Sequence, residues 1–388
     1  MSTWITPAPA PTSDLGRWLT MAREREGRSY LGQVFDLLRM SRAPHRLEAD
    51  EYYAHHLYRG DRDATSFVGR RAIRHLLTEV VRSPWPALAV DQLAIRALLA
   101  GFDLPVPELL AVWSPNREPG TAQGWRTAAE ASDGLAQLDG PLFLKPVDAA
   151  NSGSVLSVDR VEGGQVHLPD GRAATIDDVV AQLAPRASGA GVQVQRRLSP
   201  HPDVQAVVGD RIATARMLWL VGESGPRLHR AVWRLPVGLS PCDALWRPGN
   251  LLAGVDLATG LVGGATRGLG PDRRSVDAHP DSGVALSGTP VPGWQDMVAL
   301  TRRAAAAVAW CPIQAWDVAW TDRGAVLLEL EGDGGDPLQL QLPYATGLAD
   351  AEWRALTVAL EARALARDRA QPSWWATVRE TWRRARED

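Results

Sequence analysis

The sequence predicts an α+β protein in which a helical N-terminal region precedes lobes built on antiparallel strands. Three observations carry this expectation. From Asp14 to about Arg82, apolar residues recur at helical spacing: Trp18, Leu19, Val34, Phe35, Leu37 and Leu38, then Ile73, Leu76, Leu77 and Val80. Beyond Leu109, short apolar runs are separated by clusters of Gly, Pro and Asn, the pattern of strands joined by turns. Late in the chain, residues 315–331 alternate apolar and acidic positions about Asp322-Arg323-Gly324, as a hairpin does. With 388 residues, the chain is long enough for two or three packed lobes.

Composition removes several classes of function. The net charge of −3 leaves no broad basic surface for nucleic acid. No apolar run approaches the ~18 residues that would span a bilayer. Met1 leads into STWITPAPAPTSD, which has neither a basic n-region nor an apolar h-region, so no signal peptide is expected. Cys242 and Cys311 form no disulfide framework, and a cytoplasmic location is expected. The excess of arginine, alanine, glycine and proline reads as codon bias.

Residues 1–13 read as a disordered Pro/Ala tail and 14–85 as the helical region. His55 and His56 are adjacent, about 100° apart on a helix, and cannot both ligate one metal; they read as a polar helix face. Residues 86–140 hold a helix ended by Gly101, a Pro-bounded turn, the strand Leu109–Trp113 and a loop over 114–124. Residues 141–200 form a first strand-rich lobe. It contains the Lys145 strand, Val155–Val158, a hairpin turning at Pro169-Asp170-Gly171, a helix Thr175–Leu183 capped by Thr175, and the strand Gly191–Leu198. Residues 201–348 form the second lobe, with strands Ile212–Val221, Leu228–Leu235 and Gly249–Leu257, a loop from Gly263 to about Pro292, the helix Trp294–Val308 and the late hairpin. Residues 349–388 are helical, and Trp375, Val378 and Trp382 share a face suited to docking on the core.

Lys145 is the only lysine among 42 basic residues. It ends an apolar strand and precedes Asp148-Ala-Ala-Asn151-Ser152-Gly153-Ser154, a small polar loop whose backbone could approach a ligand. Arginine is a wide planar fork, whereas lysine is a compact point charge that reaches phosphates. The flanking Leu144 and Pro146 exclude a Walker A loop, and no DFG or HRD motif follows. A nucleotide site of another construction, a Schiff-base lysine and a stem packed on a sheet edge all remain open.

In the late hairpin a three-residue loop, Asp322–Gly324, would pair Thr321 with Ala325 and hence Asp317 with Glu329. Glu331 lies two residues along on the same face, with Val326, Leu328 and Leu330 on the other. Like charges paired on a sheet are destabilising, and a hard divalent cation with oxygen ligands relieves them. A solvated acidic face is the other reading. Gly332-Asp-Gly-Gly-Asp336 follows, permissive enough for phosphate to approach the backbone. One lysine, Arg216 inside an apolar strand and these acids together suit triphosphate chemistry.

These residues also carry a resemblance. From about Asp91 to Asp350 the chain resembles the ATP-grasp superfamily, in particular its sugar-transfer-associated branch. LFLKPVDAANSGS looks like the lysine strand and phosphate loop of its small lobe, and VQVQRRLSPHP like the interlobe hinge that frames adenine. Residues 209–221 resemble the strand with the phosphate-binding arginine. PGNLLAGVDLATG, HPDSGVALSGTPVPGW and WDVAWTDRGAVLLELEGDGGDPLQLQL resemble later blocks of that branch, in order.

The resemblance implies two α+β lobes clasping ATP. It implies that Lys145, Ser152, Gly153 and Ser154 contact the nucleotide phosphates and that Gln195, Arg196, Arg197 and Leu198 line the adenine pocket. Arg216 would face the γ-phosphate, with Arg234 and Asn250 beside it, and Asp317, Glu329 and Glu331 would hold Mg²⁺. The implied reaction is ADP-forming ligation of a small-molecule carboxylate to an amine or thiol through an acyl phosphate. The branch name points to cell-surface polysaccharide or specialised-metabolite pathways. Three departures stand out: Glu331 where the last ligand is usually Asn, Arg196-Arg197 where an acid is common, and a loop after Lys145 that is poor in glycine. They keep a non-catalytic nucleotide-binding module in view, beside a phosphotransferase.

Overall fold

A computed structural model describes residues 14–82, 85–148, 155–240, 243, 249–332 and 334–370. The expected disordered tail at 1–13, most of the phosphate loop and the Trp375–Trp382 face lie outside those residues.

The N-terminal region is helical: α1 Leu15–Glu26, α2 Tyr30–Met40, α3 Ala49–Ala54 and α4 Arg70–His75, which runs into a π-helical stretch, Leu76–Val81. Asp14 caps α1 by accepting from Arg17 N, and Gly27 ends it in the left-handed conformation that glycine adopts freely. Helix α2 is turned round relative to simple amphipathic docking. Gln33 and Asp36 are buried, while Leu31, Val34, Phe35 and Leu38 are exposed. The buried pair is satisfied by two tyrosines: Tyr53 Oη donates to Gln33 at 2.7 Å and Tyr52 Oη to Asp36 at 2.9 Å. Tyr52, Tyr53 and Tyr58 cluster around them. His55 and His56 are not a polar helix face. Both are buried, because α3 ends at Ala54 and His56 takes a left-handed conformation that turns the chain inward. Burial, with Arg273 next in effect, lowers the His56 pKa to about 4.

Two short helices, α5 Trp85–Val90 and α6 Gln92–Gly101, lead into the first sheet, and Asp91 caps α6 through Leu93 N and Ala94 N. The strands are β1 Leu109–Trp113, β2 Gln123–Trp125, β3 Leu142–Pro146, β4 Leu156–Val158 and β8 Val192–Arg196, in the order β2-β1-β8-β3-β4. Only β1–β2 runs parallel among these pairs. Helix α7, Ala128–Gln137, packs beside them in a stretch whose sequence gave no assignment. A small sheet of β5 Arg160–Glu162, β6 Gln165–His167 and β7 Ala173–Thr175 contains the hairpin about Pro169-Asp170-Gly171. Helix α8, Ile176–Ser188, is capped by Thr175 as expected, but runs five residues past Leu183 in spite of Pro185.

After α9, Pro202–Val208, comes the dominant element, a seven-stranded antiparallel sheet. Its strands are β9 Thr214–Gly222, β10 Gly225–Leu235, β11 Leu251–Val255, β12 Val262–Arg267, β13 Arg274–Val276, β14 Ile313–Thr321 and β15 Gly324–Glu331, ordered β13-β12-β11-β10-β9-β14-β15. Strands β12 and β13 correct the expected loop over 263–292. Val262-Gly-Gly is too poor in side chains to read as a strand, yet its backbone pairs with β11. Helix α10, Trp294–Ala307, covers one face, where Trp219, Trp233 and Trp316 are fully buried. The π-helical stretch, α11 Pro337–Gln341 and α12 Ala351–Ala370 cover the other. Burial on both faces explains the near-continuous apolar runs of β9 and β14.

Deleting a core indole tests this layering. Trp233→Ala is expected to cost about 3–5 kcal/mol in urea unfolding followed by circular dichroism. Leu31→Ala, at a side chain 84% exposed, should change stability by less than about 0.5 kcal/mol.

Candidate functional site

Strand alternation builds one wall of the site. Leu142, Leu144, Val192 and Val194 enter the small-lobe core. The same pleat puts Lys145 and Gln193, which are paired neighbours, on the opposite face with Gln195. The Lys145 ammonium donates to Gln92 Oε1 at 2.6 Å. Gln92 opens α6, and its backbone N–H donates to Val147 O at 3.1 Å, so the helix start is tied to the end of β3.

The other wall lies at one end of the large sheet. Arg216 on β9, Arg234 on β10 and Asp317 on β14 share the face that farther along carries Leu218, Val232 and Ala315 into the core. Arg216 grips Asp317 through two bonds of 2.8 Å, from Nε and Nη2. Its Nη2 also donates to Glu331 at 2.6 Å and its Nη1 to Gly335 O at 3.2 Å. Arg234 donates to Asp317 Oδ2 at 2.6 Å and pairs with Asp243 at 3.1 Å. Asp243 in turn accepts from the backbone and hydroxyl of Thr214. Arg234 Nε, buried, has no partner among the described residues.

The acid pairing arises differently from the sequence expectation. The turn pairs Thr321 with Gly324, not Ala325, so the loop is two residues rather than three. That register continues to Val318–Leu327, and a β-bulge at Leu328 then advances it by one. Asp317 therefore does lie opposite Glu329, and Ala315 opposite Glu331. Of the residues expected opposite the acids, Val326 and Leu330 are buried and Leu328, at the bulge, is only half-buried, while Leu327 enters the core with Leu330. Asp317, Glu329 and Glu331 each offer an oxygen, all within 4.8 Å of one another.

Charge and burial set the protonation states. Burial opposes ionisation of Asp317, but Arg216 and then Arg234 outweigh it and lower its pKa to about 2. Glu329 is raised by burial, with Lys145 opposing. Burial lowers Lys145, and Glu329, Asp317 and Glu331 oppose that shift. Asp243 is raised by burial against the pull of Arg234. Three cations thus face four carboxylates. Hard oxygen donors in excess of the resident positive charge fit a divalent cation such as Mg²⁺. Gly335 closes the floor: at φ +75° its added Cβ would lie 2.0 Å from that of Ala315.

The remaining expected residues fall in different places. Gln195 is buried and donates to Gln193 at 2.7 Å, and with Leu328, Glu329 and Gln92 it lines a small cavity between the lobes. Leu198 is half-buried. The Arg196 side chain turns to Asp139, and Arg197 pairs with Asp159 at 3.2 Å and Asp210 at 3.5 Å. Both guanidiniums are thus engaged in ion pairs around the hinge. Asn250 accepts from Val237 N at 3.0 Å. Ser152, Gly153 and Ser154 lie outside the described residues. Gln92, Gln193 and Asp243 were missed. Alternation in VQVQ carries a signal for Gln193; nothing local marks Gln92 or Asp243.

The chain belongs to the sugar-transfer associated ATP-grasp family, whose model matches residues 82–354. The sequence resemblance over 91–350 agrees with it. A search of curated protein sequences finds no match. Among solved structures, the chain is similar to an L-amino acid ligase from Bacillus licheniformis (11% identity, TM-score 0.35, covering 63% of this chain and 41% of that one). It is similar also to D-alanyl-alanine synthetase A from Vibrio cholerae (11%, TM-score 0.39, 72% and 66%) and to a D-alanine–D-alanine ligase from Bacillus anthracis (10%, TM-score 0.38, 72% and 70%). The chain thus spans about two fifths of the first of these. No helix among the described residues is long and apolar enough to cross a membrane.

Removing the Asp317 charge tests the electrostatics. Asp317→Asn leaves two buried guanidiniums short of their counter-charge, and the loss at pH 7 should be about 3–5 kcal/mol. A carboxylate with a depressed folded pKa stabilises above its unfolded value of about 3.9, and this stabilisation is lost as pH falls towards about 2. The gap between wild type and variant in urea unfolding should therefore stay constant above about pH 5 and shrink towards pH 2.

Proposed function

We propose that the protein is an ATP- and Mg²⁺-dependent ligase that joins a small-molecule carboxylate to an amine or thiol, releasing ADP and phosphate. One observation carries the reading: in a chain of the ATP-grasp family, Lys145 from one lobe and Arg216, Arg234 and three acids from the other converge on one slot. In the proposed step a substrate carboxylate oxygen bonds to the γ-phosphorus as the bond to ADP breaks. The nucleophile then attacks the acyl carbon and phosphate leaves.

No side chain forms a covalent bond in this scheme, so the residues supply positioning and charge. Lys145 is the point charge for phosphate oxygens, and Arg216 and Arg234 offset charge that develops on the transferred group. Asp317, Glu329 and Glu331 are the residues that would hold Mg²⁺, which when bound neutralises phosphate charge. Gln195, beside Gln193 on the Lys145 face of its sheet, is the residue assigned to adenine.

A second reading is favoured by one observation. Both oxygens of Asp317 already accept from guanidiniums, so arginine neutralises this acid without a metal. On that reading the protein binds nucleotide as a partner module and does not turn over.

Calorimetry with ATP, with and without MgCl₂, comes first. The ligase reading expects binding that needs magnesium and weakens about tenfold or more in Lys145→Ala and Glu329→Gln. A panel of carboxylates with hydroxylamine should then yield a hydroxamate with ADP and phosphate. AMP and pyrophosphate would overturn that chemistry. Nucleotide binding with no carboxylate-dependent ADP release across the panel would favour the module.

A further inference from the structure

Gln92 spans the slot. Its carbonyl oxygen accepts from the Lys145 ammonium at 2.6 Å and its amide nitrogen donates to Glu329 Oε1. Lys145 belongs to the small-lobe sheet and Glu329 to the large one, so a single side chain on α6 joins the two walls. The residue is held firmly: Asp91 caps its helix and pairs with Arg117, and the Gln92 N–H is bonded to Val147 O.

We propose that the Gln92 amide is a spacer that reserves Lys145 and Glu329 for ligand. It keeps ammonium and carboxylate from pairing directly, and hands one to phosphate and the other to the cation when these bind. The inference rests on the nucleotide reading above. Its physical basis is a comparison of strengths. In a slot of low dielectric, a direct lysine–glutamate contact would be a strong ion pair that any ligand must break. An amide satisfies both ends with hydrogen bonds that are individually weaker and readily exchanged. Few side chains can do this, because the bridge needs an acceptor facing the cation and a donor facing the anion, with no charge of its own. Glutamate at this position would bind Lys145 and repel Glu329. An apolar side chain of the same length would leave the two charges to close on each other.

The single lysine makes the test direct. An amine-selective acylating reagent can modify Lys145 and the chain's N-terminus, and peptide mass spectrometry separates the two. In Gln92→Met without nucleotide, Lys145 pairs with Glu329, and its labelling should slow several-fold. Adding Glu329→Gln removes the partner carboxylate and should restore the wild-type rate, which loss of packing alone would not do. Calorimetry should show about tenfold weaker Mg²⁺–ATP binding by Gln92→Met. Gln92→Asn is one methylene too short to reach both groups and should behave alike; it replaces Gln92→Met if that variant does not fold. Folded variants that label and bind as wild type does would overturn the spacer while leaving the nucleotide reading intact. A wild type that binds no Mg²⁺–ATP would overturn that reading and the hand-off with it.

Discussion

Asp317 is held by two guanidiniums, Arg216 on the adjacent strand and Arg234 one strand farther, at 2.6–2.8 Å. The architecture around the site depends on this grip. The large sheet is covered on both faces, so any charge on its central strands is removed from water and must be answered by another. Aspartate provides two acceptor oxygens on a short stem, and arginine provides a fork wide enough to meet both while reaching Glu331 and a backbone carbonyl. Lysine could not make that set of bonds with three donors on one atom. The buried end of the sheet is thus a lattice of opposite charges, and its apolar end is ordinary core.

The small lobe solves a different problem. Its sheet has one face in the core, and the other, bearing Lys145, Gln193 and Gln195, turned towards the charged end of the large sheet. A compact ammonium suits a narrow slot already lined with acids. The lobes are also tied by the chain between them, where Arg197 pairs with Asp159 on one side and Asp210 on the other. Ser199 O accepts from Asp322 N and His201 N donates to Trp320 O, so the same connection is pinned to the tip of the late hairpin.

Much of this was legible in the residues. The sequence pattern marks strand β1 at its observed limits, Lys145 stands out because the chain has no other lysine, and Arg216 because a charge in a long apolar run needs a partner. What was not legible came from partners distant in sequence. Gln92 and Glu329 are 237 residues apart, and nothing local to either announces the bond. Asp243 reads as an ordinary loop acid until Arg234 and Thr214 are seen around it. Strand β12 was hidden by its glycines, which pair through backbone without offering a side-chain pattern. His55 and His56 were misread because the helix ends just before them. Helix α2 was opaque for the opposite reason, since its polar face is the one that docks.

The pairing of Asp317 with Glu329 was anticipated through a three-residue loop and is achieved through a two-residue turn and the bulge at Leu328. The two hairpins are equivalent at the acids. A lineage could gain one residue in the turn and lose the bulge, or the reverse, and the carboxylates would not move. Turn and bulge are therefore coupled: a one-residue change in the register set by the turn keeps the acids opposite each other only if the bulge changes with it.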